Sequence, residues 1–209
     1  MKADLHCHTV LSDGAMRVDQ IIPYAKRIGL DYIAISDHES THSIPEAVKL
    51  GKELGVHAGS FHDGITGTPI GQLHNELFRA GGPHKFPYRY MDAKTVTDLL
   101  HSCGGVVVLA HPGQYKADNV MEMMIEEHML DGIELNHPRN DEKTREHITS
   151  LCKEHDLFMT GGTDFHGLYT KTPYPLGSFL CPKEGLHRLI LAGEQANKAF
   201  YEKHPKFKK

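Results

Sequence analysis

Short apolar runs alternate with amphipathic segments along nearly the whole chain, and almost every run closes on a histidine or an aspartate. Residues 3–8, 32–38, 106–110, 132–136 and 157–161 read as strands. Residues 17–28, 43–54, 92–102, 119–130, 140–155 and 184–201 read as helices, with Asp92 as an N-cap, Gly29, Gly55 and Gly104-Gly105 as stops, and Pro23 as a helix start or kink. Residues 56–83, rich in glycine and histidine, read as irregular with one strand near 70–77, and 168–183 as a loop or an extra strand. Strand–helix–strand alternation calls for parallel pairing, because each helix carries the chain back before the next strand begins. In 32–38 the small Ala34 and Ser36 share a face with His38, while Ile33 and Ile35 take the other. Small inward residues and polar strand ends favour an α/β barrel with its site at the C-terminal mouth. The 209 residues suit one domain, with no linker, repeat or low-complexity segment.

The polar strand ends carry the chemistry. In Ala3-Asp4-Leu5-His6-Cys7-His8-Thr9 the period of two aims His6 and His8 at one point and turns Cys7 into the packing. Asp13, in the turn Ser12-Asp13-Gly14, follows closely. One such pair of histidines is unremarkable by itself. A second pair, Asp164 and His166, stands near the other end of the chain, and Asp37-His38, Asp63, His74, His111 and His137 fall between them. Neither a hydrophobic core nor a solvated surface places histidine on strand after strand at the same end, so the pattern points to a multinuclear metal centre. Imidazole and carboxylate without thiolate suit Zn, Mn or Fe(II). Asp37 reads as a residue that orients a ligand histidine. His137 is a candidate for touching substrate, and Arg139 is a candidate phosphate anchor, since a guanidinium matches phosphate oxygens.

Charge and composition remove several classes. The net charge is −4, and the one basic cluster is the terminal His204–Lys209 stretch. That argues against a long nucleic-acid footprint but not against a small anion, whose charge bound metals can meet. No apolar stretch is long enough to span a membrane. A strand beginning at residue 3 leaves no room for a signal peptide. Cys7, Cys103, Cys152 and Cys181 lack paired spacing and read as thiols in a cytoplasmic protein.

Five stretches together, DLHCHTVLSDG, AISDHES, VVVLAHPGQY, GIELNHPRND and MTGGTDFHG, closely resemble the PHP (polymerase and histidinol phosphatase) family, in the family's order and over most of residues 3–167. The resemblance implies a single PHP-type domain over residues 1–209, a distorted (β/α)7 barrel holding two to three divalent ions. It implies His6, His8 and Asp164 as ligands of a first metal, His74 and His111 of a second, and Asp13, His38 and His166 of a third. A glutamate that bridges two metals in the family falls here on Asp63, with His62 as the alternative. The implied reaction is phosphoester hydrolysis, with a metal-bridging hydroxide attacking phosphorus in line. The interval between His74 and His111 is too short for the cap found in some members, which implies an open mouth. The expected substrate is a small phosphorylated molecule, a nucleotide or sugar phosphate. The alternatives are an exonuclease-like phosphodiesterase on nucleic-acid ends and a non-catalytic metal-binding protein.

Overall fold

The computed structural model describes residues 1–38, 40–60, 91–167 and 173–207. They form two compact units, one of Leu5–Met91 with Asp164–Leu176, the other of Met1–Asp4, Asp92–Thr163 and Gly177–Lys209.

In the first unit the strands run in the order β1 (Ala3–Cys7, whose first two residues belong to the other unit), β2 (Tyr32–Ile35) and β3 (His57–Ser60), and β2 pairs with β3 in parallel. Helix α1 (Val18–Arg27) connects β1 to β2, and α2 (Ile44–Leu54) connects β2 to β3. Val18, Ile21, Ile22 and Ala25 form the buried stripe of α1, at the spacing one helix face requires. Pro23 neither starts nor ends this helix; the chain runs through it with the ring on the exposed side. Strand β3 corrects the expectation that 56–83 is irregular. His57, Gly59 and Ser60 carry no strand propensity of their own, and the pairing comes from the neighbour, with all four residues in register against Tyr32–Ile35. The strand expected near 70–77 lies outside the described residues.

In the second unit β4 (Val108–Leu109), β5 (Gly132–Asn136) and β6 (Phe158–Gly161) pair in parallel in that order. The helices are α3 (Ala93–Ser102), α4 (Pro112–Tyr115), α5 (Asp118–Glu126), α6 (Glu142–Glu154) and α7 (Lys183–Lys203). Asp92 caps α3 by accepting the Thr95 N–H at 2.9 Å, and Asp141 caps α6 through the Thr144 N–H at 2.8 Å. The core gathers Val107, Met121, Met124, Ile125, Met129, Leu130, Ile133, Ile148 and Cys152. Its helices bury one face and its strands are largely apolar, with Glu134 and Thr160 as buried exceptions. The short α4 was not expected, and α5 ends four residues before the predicted stop. Residues 173–182 form no strand. All four cysteines lie among the described residues, and no disulfide joins them. No helix among those residues is long and apolar enough to cross a membrane.

Candidate metal centre

The first unit brings together six of the residues singled out from the sequence. Its key local feature is an isolated parallel bridge between Cys7 and Phe165. The His8 N–H donates to the Phe165 carbonyl at 2.8 Å, and the Phe165 N–H donates to the His6 carbonyl at 3.2 Å. This register lays Asp164 and His166 beside His6 and His8, because the residues on either side of a bridged pair share a face. Cys7 turns inward, fully buried, and its thiol donates to the Ala34 carbonyl at 3.0 Å. Asp164 takes a left-handed backbone (φ 54°), which aspartate tolerates better than most residues.

Asp13 reaches the same point through the turn after β1. The Ser12 and Gly14 amides both donate to the Thr9 carbonyl, at 3.0 and 2.9 Å. A Cβ on Gly14 would collide with the His8 carbonyl oxygen, so this close return needs glycine. The fully buried Asp37 secures the turn, accepting the Thr9 N–H at 2.7 Å, the Thr9 hydroxyl and the Ser12 hydroxyl at 2.9 Å. The expectation that Asp37 orients a ligand histidine therefore takes an indirect form. Its carboxylate is consumed by the loop and meets an imidazole only through Ser12, whose Oγ lies 3.5 Å from His8 Nδ1.

Each of the two aspartates offers one oxygen to three imidazoles. Asp13 Oδ1 lies 3.2 Å from His166 Nε2, 3.5 Å from His38 Nε2 and 3.5 Å from His8 Nδ1. Asp164 Oδ1 lies 3.2 Å from His8 Nε2, 3.4 Å from His6 Nε2 and 3.5 Å from His166 Nδ1. These separations are long for charged hydrogen bonds. They match the edge of a tetrahedron of ligands, about 3.3 Å for metal–ligand bonds of about 2.0–2.1 Å. Two sets of donor atoms, His8 with Asp13, His38 and His166, and His6 with His8 and Asp164, each fall within 4.8 Å of one another and could hold a metal ion.

The charge states of His8 and Asp13 suit ligation, and that of His166 does so once a metal displaces its proton. Burial drives His8 down to about 4, so it is neutral at pH 7 and its nitrogen lone pair is available. Burial would raise Asp13, but the neighbouring His166 and His38 imidazoles outweigh it and hold the carboxyl well below its usual range. Burial opposes protonation of His166, yet Asp13 and Asp164 together raise it above the usual histidine value.

In the second unit His111 stands at the start of α4 and its ring lies 4.9 Å from that of His137. His137 is fully buried, and its Nδ1 accepts the Arg139 N–H at 3.0 Å, so the neutral ring carries its proton on Nε2. The Arg139 side chain is exposed. Asp63 and His74 lie outside the described residues. Among the buried polar residues that sequence reasoning passed over are Asp4, Glu134 and Asn140. Glu134 accepts the His111 N–H at 2.9 Å. Its signal was available, since it interrupts Gly-Ile-Glu-Leu-Asn with a charge on the face opposite Ile133 and Leu135. Asp4 likewise breaks the apolar pattern of its strand.

A parallel α/β fold carrying interlocked imidazole–carboxylate groups at a strand end has the donor set of a metal-binding enzyme. Residues 4–165 match the PHP domain model, and the chain belongs to that family of metal-dependent phosphoesterases. It is 23% identical to the phosphoribosyl 1,2-cyclic phosphate 1,2-diphosphodiesterase of Eggerthella lenta, in a match covering 83% of this chain and 97% of that protein. It is 22% identical to a 5'-3' exoribonuclease of Haemophilus influenzae, over 79% of this chain and 90% of the other. A solved structure from Bifidobacterium adolescentis, provisionally classed as a metal-dependent phosphoesterase, shares the fold with a TM-score of 0.76 at 21% identity, covering 91% of this chain and 96% of its own. An amidohydrolase of Chromobacterium violaceum shares it with a TM-score of 0.67 at 15% identity, over 90% and 97%.

Proposed function

We propose that this protein uses divalent metals to hydrolyse a small phosphorylated molecule of the nucleotide or sugar-phosphate class. The observation that carries the reading is the sharing of Asp13 Oδ1 and of Asp164 Oδ1 among three imidazoles each. His6, His8 and Asp164 would hold one ion, and Asp13, His38 and His166 another. His111, with His74, would serve a further ion, with Asp63 as the bridging carboxylate. Two to three ions of Zn, Mn or Fe suit such donors. The chemistry they supply is the activation of water and the neutralisation of phosphate charge.

The chain's own residues do the rest. Asp37 holds the turn that presents Asp13. His137 offers an Nε2–H to a phosphoryl oxygen, and the exposed Arg139 guanidinium is suited to a phosphate group. The same reading makes the chain one domain with the family's distorted (β/α)7 barrel, which its parallel strand pairs and strand–helix alternation support. Four thiols without a disulfide support a cytoplasmic setting. A small substrate is supported by the similarity to an enzyme named for a cyclic ribosyl phosphate.

The second reading, removal of nucleotides from nucleic-acid ends, is supported by the similarity to an exoribonuclease, while the net charge of −4 weighs against a long polynucleotide. The test is a panel assayed with Mn and with Zn, containing sugar phosphates, a cyclic ribosyl phosphate, nucleoside monophosphates and short 5'-phosphorylated oligoribonucleotides. Preference for the small esters supports the first reading. Stepwise shortening of the oligonucleotides with little turnover of the small esters replaces it with the second.

A further inference from the structure

His111 sits in a backbone conformation that its own sequence does not favour. Its φ of 27° and ψ of 59° lie in the left-handed region, costly for a residue other than glycine. Such a conformation persists where the surroundings dictate it. Two side chains do so here. Glu134 Oε2 accepts the His111 N–H at 2.9 Å, and Asn140 Oδ1 accepts the Gly113 N–H at 3.0 Å. Pro112, between them, has no N–H to give. The start of α4 therefore spends both its amides on protein side chains and leaves none for an anion.

Asn140 is only 1% exposed. Besides holding Gly113, its Nδ2 donates to the Glu134 carbonyl at 2.8 Å and the Leu135 carbonyl at 3.2 Å. Its own N–H donates to the His137 carbonyl at 3.1 Å. The side-chain amide and backbone N–H of this one residue thus tie the end of β5, the His137 turn and the His111 loop to one another. The fit is tight, since a Cβ on Gly113 would stand 2.8 Å from both Asn140 Oδ1 and the Arg139 carbonyl oxygen.

We propose that Asn140 is a positioning residue for metal binding, holding the strained His111 loop so that the imidazole is aimed for ligation. This rests on the reading of His111 as a metal ligand. Outer residues that orient metal-bound histidines typically contribute about 10–100-fold in affinity.

The test compares Asn140→Ala, Gly113→Ala and His111→Ala with the wild-type chain. The readouts are metal content per chain by elemental analysis, Zn affinity by competition with a chromophoric chelator, and the Tm of the chelator-treated protein. In the expected result Asn140→Ala and His111→Ala each lose one ion, or weaken one binding step at least tenfold, and keep the remaining ions. Selective loss of one ion is something a general loss of folding would not produce. Gly113→Ala, which displaces the same amide by a different route, gives the same selective loss and serves where Asn140→Ala fails to fold. Unchanged content and affinity in Asn140→Ala or Gly113→Ala, beside a loss in His111→Ala, overturns the role of Asn140 and leaves the ligand reading standing. Unchanged metal binding in His111→Ala overturns the ligand reading, and the role of Asn140 with it.

Discussion

His8 Nε2 lies 3.2 Å from Asp164 Oδ1, although the two residues come from opposite ends of the family match. Asp164 holds its left-handed backbone, and asparagine tolerates that conformation equally well. Asp164→Asn therefore isolates the effect of the charge from that of the fold. It is expected to lose at least one bound ion per chain and to lower hydrolysis by about 100-fold or more. The Tm of the metal-free protein should move by only a few degrees. Full metal content in the variant, measured by elemental analysis after dialysis, would sink the assignment of Asp164 as a ligand.

The metal-free protein should weaken as pH falls from 6.5 to 4. Burial lowers His8 from 6.5 to about 4, so in this window the unfolded chain binds a proton that the folded chain refuses. Stability lost over the window is about 3 kcal/mol at most. His166 is shifted the other way, so its contribution is fully present below 6.5 and fades only as pH rises through its raised value. Asp13, held low, contributes above 3.8 and adds no slope within the window. Urea unfolding in the presence of chelator at pH 7 and pH 5 checks this, and His8→Asn should flatten the difference. An equal drop in wild type and variant would place the titrating group elsewhere.

Asp4 is expected to matter for stability more than its position near the start of the chain suggests. It is fully buried and accepts the Thr163 N–H at 2.8 Å, the Thr163 hydroxyl and the Gly177 N–H at 2.7 Å. Asp4→Ala strands all three donors and should destabilise the protein by about 3 kcal/mol or more. A loss below about 1 kcal/mol in urea unfolding would show that water or a neighbouring group replaces the carboxylate.

Thiol labelling should count one cysteine in the native protein at pH 8. Cys103 is exposed, while Cys7, Cys152 and Cys181 are buried. Burial pushes the Cys152 thiol up to about 11 and the Cys181 thiol up to about 12, so neither supplies thiolate at that pH. Denaturation should release all four. Two or more equivalents in the native state would show that a buried thiol opens to solvent.

The sequence was most legible where one period dominates. The period of two in His6-Cys7-His8 and in Asp164-Phe165-His166 placed four side chains correctly. The bridge between Cys7 and Phe165 that aligns the two pairs is a long-range contact that no local pattern carries. Asp92 announced its helix because an N-cap is a local interaction. Strand β3 stayed hidden because its residues take their conformation from β2 rather than from propensity. Asn140 stayed hidden for a different reason: its partners, Gly113, Glu134 and Leu135, come from two separate segments of the chain.

The bridge between Cys7 and Phe165 also sets the order in which this protein can come into being. His6 and His8 leave the ribosome before Asp164 and His166, which meet them only after more than 150 further residues have been made. Until that long loop closes, His6, His8 and the turn that carries Asp13 lack the Asp164 carboxylate and the His166 imidazole. A chain broken off before Phe165 would lack the clamp, and with it His166 of the proposed centre. On the proposed reading, metal capture is thereby tied to closure of this loop, and chains that end before it lack a formed centre.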